Sequence, residues 1–240
     1  MDTKKGSIAP NKYSKMIEIY TGKCGTGKTL KLADKMVGIL ARNKRWNKKS
    51  GATRKVATNL KLNPDFQKFY ENEVAYWSDP LELVKLRDCD IFWDEISTHM
   101  DSTQWASLPL EVKRFLQQHR KKGIDIYGTT QTFATVDISM RRLVDILWIC
   151  RKIIGSRNPS PTKPPVTSIW GFIWLSGIDP MSFEDEKPKR DGWDWLLINK
   201  ALCNVYDTTQ EIDIGNYPAL KHVVRQCGNP DCNFERVSHL

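Results

Sequence analysis

The sequence predicts an α/β fold: a mostly parallel central sheet flanked by helices, with a small β-containing appendage at the C-terminal end. Three observations predict it. Short runs rich in β-branched and aromatic residues alternate with segments of helical periodicity, the pattern that builds βαβ units. A glycine-rich turn joins the first such run directly to a helical segment. The composition, 40% apolar and 27% charged, is that of a chain able to bury a core.

Taken in order, strands are expected at 16–21, 55–59, 74–77, 90–94, 124–129 and 145–152, each a short apolar run bounded by polar or turn-forming residues. Leu30, Ala33, Val37 and Leu40 recur near helical spacing and predict a helix over 28–42. A short helix follows Asp79-Pro80, over 81–87. Residues 109–122 begin with Pro109 at a favourable first position, place Val112, Phe115, Leu116 and His119 on one stripe, and stop at Gly123. At 155–168 the composition turns to Pro, Ser and Thr, which reads as a linker. The expected organisation is therefore a basic arm over 1–14, a core over 15–153, a linker over 154–168 and an extension over 169–240. That extension carries Trp170, Trp174, Trp193 and Trp195.

Charge is distributed unevenly. Against 37 Lys+Arg and 28 Asp+Glu overall, residues 1–55 hold 15 basic and 3 acidic side chains, a surplus of 12, and the remainder of the chain is mildly acidic. Whatever polyanion this addresses is met mainly by the first quarter of the sequence. No run approaches the ~20 apolar residues of a membrane-spanning helix, and the longest, Ile169 to Ile178, is broken by Gly171, Ser176 and Gly177. The N-terminus has charges without a following apolar stretch, which argues against a signal peptide. Cys24, Cys89 and Cys150 fall in apolar or glycine-rich segments, so a reducing cytoplasm is expected.

Directly after the first strand comes Gly22-Lys23-Cys24-Gly25-Thr26-Gly27-Lys28-Thr29, a full match to G-x-x-x-x-G-K-[ST]. Such a loop points backbone N–H groups into one concavity at a helix N-terminus, and so cradles phosphates. Lys28 is expected to neutralise the β- and γ-phosphates of ATP, and Thr29 to ligate Mg²⁺. A second site follows in Asp90-Ile91-Phe92-Trp93-Asp94-Glu95, an apolar strand ending in adjacent acids. Because neighbours on a strand point to opposite faces, Asp94 is expected to hold Mg²⁺ and Glu95 to activate the attacking water. The fifth expected strand ends Gly128-Thr129-Thr130-Gln131, and Gln131 is placed to sense the γ-phosphate or orient water.

Between the first helix and second strand, Arg42, Lys44, Arg45, Lys48, Lys49, Arg54 and Lys55 surround Trp46. Read as a loop, this segment is expected to contact nucleic-acid phosphates while the indole stacks on a base. Near the end, His222, Cys227, Cys232 and His239 invite comparison with a zinc site, but one C-x4-C pair with irregularly spaced histidines reads better as free thiols.

The motifs in succession, TGKCGTGKT at 21–29, ATNL at 57–60, FWDEI at 92–96, QHRKKGIDI at 118–126, TTQ at 129–131, DISMRRLVD at 137–145 and VYDTTQ at 205–210, resemble one family. It is the zonular occludens toxin (Zot) N-terminal domain family of P-loop ATPases, which includes assembly ATPases of filamentous phages and is similar to FtsK/HerA-type DNA pumps. The resemblance implies an ATPase that self-associates into a ring, a hexamer by analogy, and moves DNA in partnership with phage capsid or assembly proteins. It also implies that Arg120, Arg141 or Arg142 reaches a neighbour's γ-phosphate. Filamentous-phage members carry a membrane span that is not seen in these 240 residues. Genome packaging in the host cytoplasm or on the virion, or peripheral to the inner membrane, is thus expected ahead of membrane-associated extrusion. A small-molecule kinase and a non-catalytic nucleotide-binding scaffold are the rival classes.

Overall fold

The computed structural model describes residues 16–51, 54–103, 105–154, 171–198 and 200–206. Eight strands form one sheet: β1 (Ile17–Thr21), β2 (Lys55–Thr58), β3 (Val74–Tyr76), β4 (Cys89–Trp93), β5 (Asp125–Thr130), β6 (Ile146–Ile154), β7 (Gly171–Ile178) and β8 (Arg190–Ile198). Their order is β3-β2-β4-β5-β1-β6-β7-β8. The first six run parallel, and β7 and β8 add antiparallel to β6 and to each other. The six expected strands are therefore present, each within a residue or two of its expected ends. The Trp-rich extension differs from expectation: its two strands are not a unit set apart but the outer strands of the same sheet.

Seven helices accompany the strands among the described residues: α1 (Lys28–Ser50), α2 (Pro64–Phe69), α3 (Pro80–Leu83), α4 (Ser97–Met100), α5 (Leu110–Gln118), α6 (Ile138–Arg141) and α7 (Lys200–Cys203). Two apolar clusters sandwich the sheet. Under α1, Leu32, Met36, Ile39 and Leu40 pack on Tyr20, Phe92, Tyr127, Ile173 and Leu175. On the other face Val112, Phe115, Leu116 and Met140 cover Ile17, Ile19, Ile91, Trp93 and Ile126. Among the described residues no helix is long and apolar enough to cross a membrane.

The first helix is the main departure from expectation. It continues past residue 42 to Ser50 and ends where Gly51, in a left-handed conformation (φ 70°), returns its N–H to the Asn47 carbonyl. Dense charge had suggested a loop, yet Lys and Arg are good helix formers, and Asn43 anchors the extra turns by donating to buried Asp90 at 2.8 Å. The helix expected over 81–87 is shorter, closing at Leu83 behind a capping box of Asp79 and Glu82. That over 109–122 keeps regular form to Gln118 and then turns.

A buried ion network explains how α1, β2, β4 and β5 are tied at the N-terminal edge of the sheet. Arg54 donates from Nε to Asp90 Oδ2 and from Nη2 to Asp90 Oδ1, both at 2.8 Å. It also reaches Asp125 Oδ2 at 2.8 Å and the carbonyls of Gly123 and Cys89. Burial works against its charge, but the bonds to Asp90 and the fields of Asp90 and Asp125 outweigh that and raise its pKa. Arg54 is consequently not a nucleic-acid contact, as the sequence had suggested, but a structural cation. Lys55 is also withdrawn from that role: it is half-buried at the start of β2, where desolvation lowers its pKa.

Candidate functional site

The site forms at the C-terminal edge of the parallel strands, where β1, β4 and β5 end at one level. Register fixes this: Thr21 lies beside Thr130, and Trp93 beside Gly128, so Gly22, Asp94, Thr129 and Gln131 emerge together. The strand bearing the acids is separated from the strand bearing the glycine-rich loop by β5 alone.

The loop is compact. The Lys23 carbonyl accepts from the Thr26 N–H (3.3 Å), the Thr26 hydroxyl (2.8 Å) and the Lys28 ammonium (3.3 Å). The Lys31 N–H then bonds the Gly27 carbonyl at 2.9 Å and begins α1. Two glycines are required by their surroundings. At Gly22 (φ 151°) a Cβ would lie 2.7 Å from the Cys150 carbonyl oxygen, and at Gly27 (φ 87°) one would lie 2.1 Å from the Ile173 side chain. The loop thus rests on β6 and β7, and the C-terminal strands belong to the site's support. Lys28 is buried, while Lys23, Cys24 and Gly25 are exposed at the loop's tip. Cys24, Cys89, Cys150 and Cys203 are not joined in disulfides.

Asp94 is the centre of the polar arrangement. Its Oδ1 accepts from the Thr129 hydroxyl at 2.6 Å and from the Thr29 hydroxyl at 3.1 Å. Burial raises its pKa, and repulsion from Glu95 adds to this; the Thr129 and Thr29 hydroxyls and the charge of Lys28 pull the other way. Hydroxyls rather than a cation bind this carboxylate. One carboxylate beside a hydroxyl is the oxygen-rich, partly open donor set that Mg²⁺ accepts while keeping several waters. The residues expected to hold the metal, Thr29 and Asp94, are therefore brought together.

Asp94 and Glu95 do not continue the strand. β4 stops at Trp93, and Glu95 has a positive φ of 50°, so the two acids lie in a turn rather than alternating along a strand. Such a conformation is costly for a non-glycine residue. Thr129 holds it from both sides: its hydroxyl accepts the Glu95 N–H at 2.9 Å and its carbonyl accepts the Ile96 N–H at 2.8 Å. Asn59, at the end of β2, completes the clamp by accepting the Asp94 N–H at 2.7 Å and donating to the Asp94 carbonyl at 2.9 Å. Sequence reasoning assigned no role to Asn59 or Thr129; the signal was present in ATNL and TTQ, polar residues closing apolar strands. Gln131 is exposed just beyond β5, and its carbonyl accepts from the Thr21 hydroxyl at 3.5 Å.

Tyr206 was also unassigned. The chain returns after β8 through α7 and bridges Leu62 with Tyr206, whose hydroxyl pKa is raised by burial and by the nearby charge of Asp94.

The arginines lie elsewhere. Arg120 pairs with Asp145, the residue before β6, at the opposite edge of the sheet. With five residues in β1, that edge is about 16 Å from the loop. Arg141 pairs with Glu184 in the β7–β8 turn, and Arg142 is exposed beside it, again at the lower edge. None of the three enters its own chain's site. The cations of α1 divide as well: Arg42 lies 3.9 Å from Asp90 and Lys44 sits 4.2 Å above the Phe69 ring, whereas Arg45, Lys48 and Lys49 are exposed with Trp46. The zinc alternative at His222, Cys227, Cys232 and His239 lies outside the described residues, as do the arm over 1–14 and the linker beyond Ile154.

The architecture is an α/β P-loop fold: a glycine-rich G-x-x-x-x-G-K-[ST] loop between the first strand and first helix, and an acid pair one strand removed. No protein-family model matches the chain, and no curated protein does. Among solved structures, the chain is similar to the N-terminal domain of zonular occludens toxin from Neisseria meningitidis, at 22% identity and TM-score 0.46, covering 80% of this chain and 99% of that one. It is similar to B204, the DNA-packaging ATPase from Sulfolobus turreted icosahedral virus, at 12% identity and TM-score 0.46, covering 75% and 98%. The genome packaging NTPase B204 from Sulfolobus turreted icosahedral virus 2, in complex with ATP-gammaS, resembles it at 13% identity and TM-score 0.43, covering 74% and 97%.

Proposed function

We propose that this protein hydrolyses Mg·ATP and uses the energy to move DNA in the assembly of a phage particle, by packaging rather than extrusion. The observation that carries the hydrolytic half is the convergence of Lys28, Thr29, Asp94 and Glu95 on one edge of the sheet, with Asp94 hydrogen-bonded to Thr29. Thr29 and Asp94 would hold Mg²⁺, which when bound would supply charge neutralisation for the triphosphate. The loop's N–H groups and Lys28 bind and orient the triphosphate, Glu95 accepts a proton from the attacking water, and Gln131 stands where it can contact the γ-phosphate. Thr129 and Asn59 hold both acids in place throughout.

A small-molecule kinase shares the phosphate loop but has no use for a second, water-activating acid, and the clamp that fixes Glu95 favours hydrolysis. The DNA-moving half rests on the motif succession and on the exposed cations. It is tested by ATP turnover measured without DNA, with single strands and with duplex. Several-fold stimulation by one form is the expected result; turnover indifferent to both, with transfer of phosphate to a small acceptor, replaces the motor with a kinase.

A further inference from the structure

The outer flank of the sheet carries an aromatic surface that the nucleotide chemistry does not use. Alternation along β7 and β8 sends Ile173, Leu175, Leu196 and Ile198 into the core beneath α1. The alternate residues, Phe172, Trp174, Trp193, Trp195 and Leu197, go to the other face, where they are half-buried or exposed, Trp193 to 65%. The rings stack in two pairs: Trp174 on Trp193 with centroids 5.3 Å apart and planes 7° from parallel, and Phe172 on Trp195 at 5.5 Å and 17°. The pairs follow one another along the strands at a two-residue interval, about 7 Å.

Strand register places the charges. Arg151 of β6 stands opposite Trp174 on the same face and is exposed. Among the described residues it is the one charged side chain at the level of the rings, because Lys152 and Asp194 pair with Ile173 and Leu175 and so belong to the α1 face. Below the rings, exposed Arg190 stands opposite Ile178, next to exposed Asp191. Farther down, the β7–β8 turn carries Asp179, Glu184, Asp185 and Glu186. Arg141 pairs with Glu184, and Lys187 and Lys189 lie on the other limb of the turn. The acids are thus confined to the lower margin, where cations interleave with them, and the level of the rings is positive.

We propose that the face bearing Arg151, Phe172, Trp174, Trp193 and Trp195 binds single-stranded nucleic acid, its bases stacking on the ring pairs and Arg151 meeting a phosphate. Aromatic rings take bases of any sequence once the flat faces of those bases are free. In a duplex, successive bases lie about 3.4 Å apart and cover one another; ring pairs about 7 Å apart match the bases of an extended single strand instead. The same strands floor the glycine-rich loop. Ile173, between Phe172 and Trp174, lies under Gly27, and the carbonyl of Cys150, the residue before Arg151, faces Gly22. A strand bound on this face therefore bears on the nucleotide site through β6 and β7. The proposal deepens the DNA-moving reading and rests on it for the kind of ligand, while the binding itself needs neither hydrolysis nor the cations of α1.

Fluorescence anisotropy of labelled oligothymidine and of a duplex of equal length, with the full chain and no nucleotide, tests it. Single strands are expected to bind at least about tenfold more tightly than duplex. Trp193→Leu, and separately Trp174→Leu with Trp195→Leu, is expected to weaken single-strand binding by about tenfold. The first of these keeps an apolar side chain at an exposed position, so its thermal midpoint is expected to stay that of the wild type. Arg151→Ala is expected to reduce the slope of log K against log salt by about 0.7, the share of one phosphate on a single strand. Tighter binding of duplex, or no binding of single strands, overturns the proposal, as does wild-type affinity in both tryptophan variants or a slope that Arg151→Ala leaves unchanged. ATP turnover with the same oligonucleotides separates this face from the motor. A Trp193→Leu protein that single strands stimulate as they do the wild type overturns the face and leaves the motor standing. Loss of single-strand binding in the tryptophan variants, beside wild-type turnover that ignores DNA, supports the face and removes the motor.

Discussion

Replacing Glu95 by Gln is expected to slow phosphate release from Mg·ATP by about 10²–10⁴-fold, the contribution of a positioned general base, while leaving nucleotide affinity close to that of the wild type. The reason for the separation is geometric. Glu95 is not among the groups that bond Asp94 or Thr29; it is joined to the site through its backbone N–H, which the Thr129 hydroxyl accepts. The amide of Gln keeps the size and the backbone turn, so the clamp survives and only the proton acceptor is lost. The corresponding barrier increase is about 3–5 kcal/mol. Single-turnover phosphate release beside equilibrium binding of a fluorescent nucleotide reads the two quantities separately. Equal losses in both assign Glu95 to binding and leave the water-activating role vacant.

Replacing Arg54 by Ala is expected to destabilise the fold by about 3–5 kcal/mol, because Asp90 is left charged in the interior with Asn43 as its main remaining partner. For a chain of this size the thermal midpoint falls by roughly 10 °C. Arg54→Lys recovers only part, since an ammonium cannot supply the two parallel bonds that Arg54 makes to Asp90. Thermal unfolding followed by circular dichroism measures both. If Arg54→Ala unfolds at the wild-type temperature but loses affinity for DNA with a reduced salt slope, the side chain belongs to a nucleic-acid surface after all.

These two residues mark where sequence reasoning reached and where it stopped. The glycine-rich loop was legible because its signal is contiguous: glycines, Lys28 and Thr29 lie within eight residues, between a strand and a helix that periodicity also finds. Asp94 and Glu95 were legible as residues, though not in their geometry, since nothing in FWDEI shows that the strand stops one residue early and that Glu95 takes a left-handed turn. Arg54 was misplaced for a different reason. A run of cations reports charge density but not burial, and its partners Asp90 and Asp125 stand 36 and 71 residues away. The same density hid the last two turns of α1. The tryptophans of β7 and β8 marked strands, but the sheet edge they join is decided by pairing with β6 across a segment that periodicity does not describe. The arginines of HRKK and MRRL were placed by analogy with other chains, and the fold puts all three at the edge opposite the loop.

In the proposed function the loop at 22–29 and the acids at 94 and 95 form one hydrolytic site. Steady-state phosphate release from Mg·ATP, compared between the wild type and Lys28→Ala at matched concentration and matched secondary structure, tests it most directly. Turnover by the wild type and a loss of at least about 100-fold in the variant is the predicted result, since removing a preorganised charge at the phosphates costs on the order of 3 kcal/mol. Phosphate release at the same rate from both proteins contradicts it.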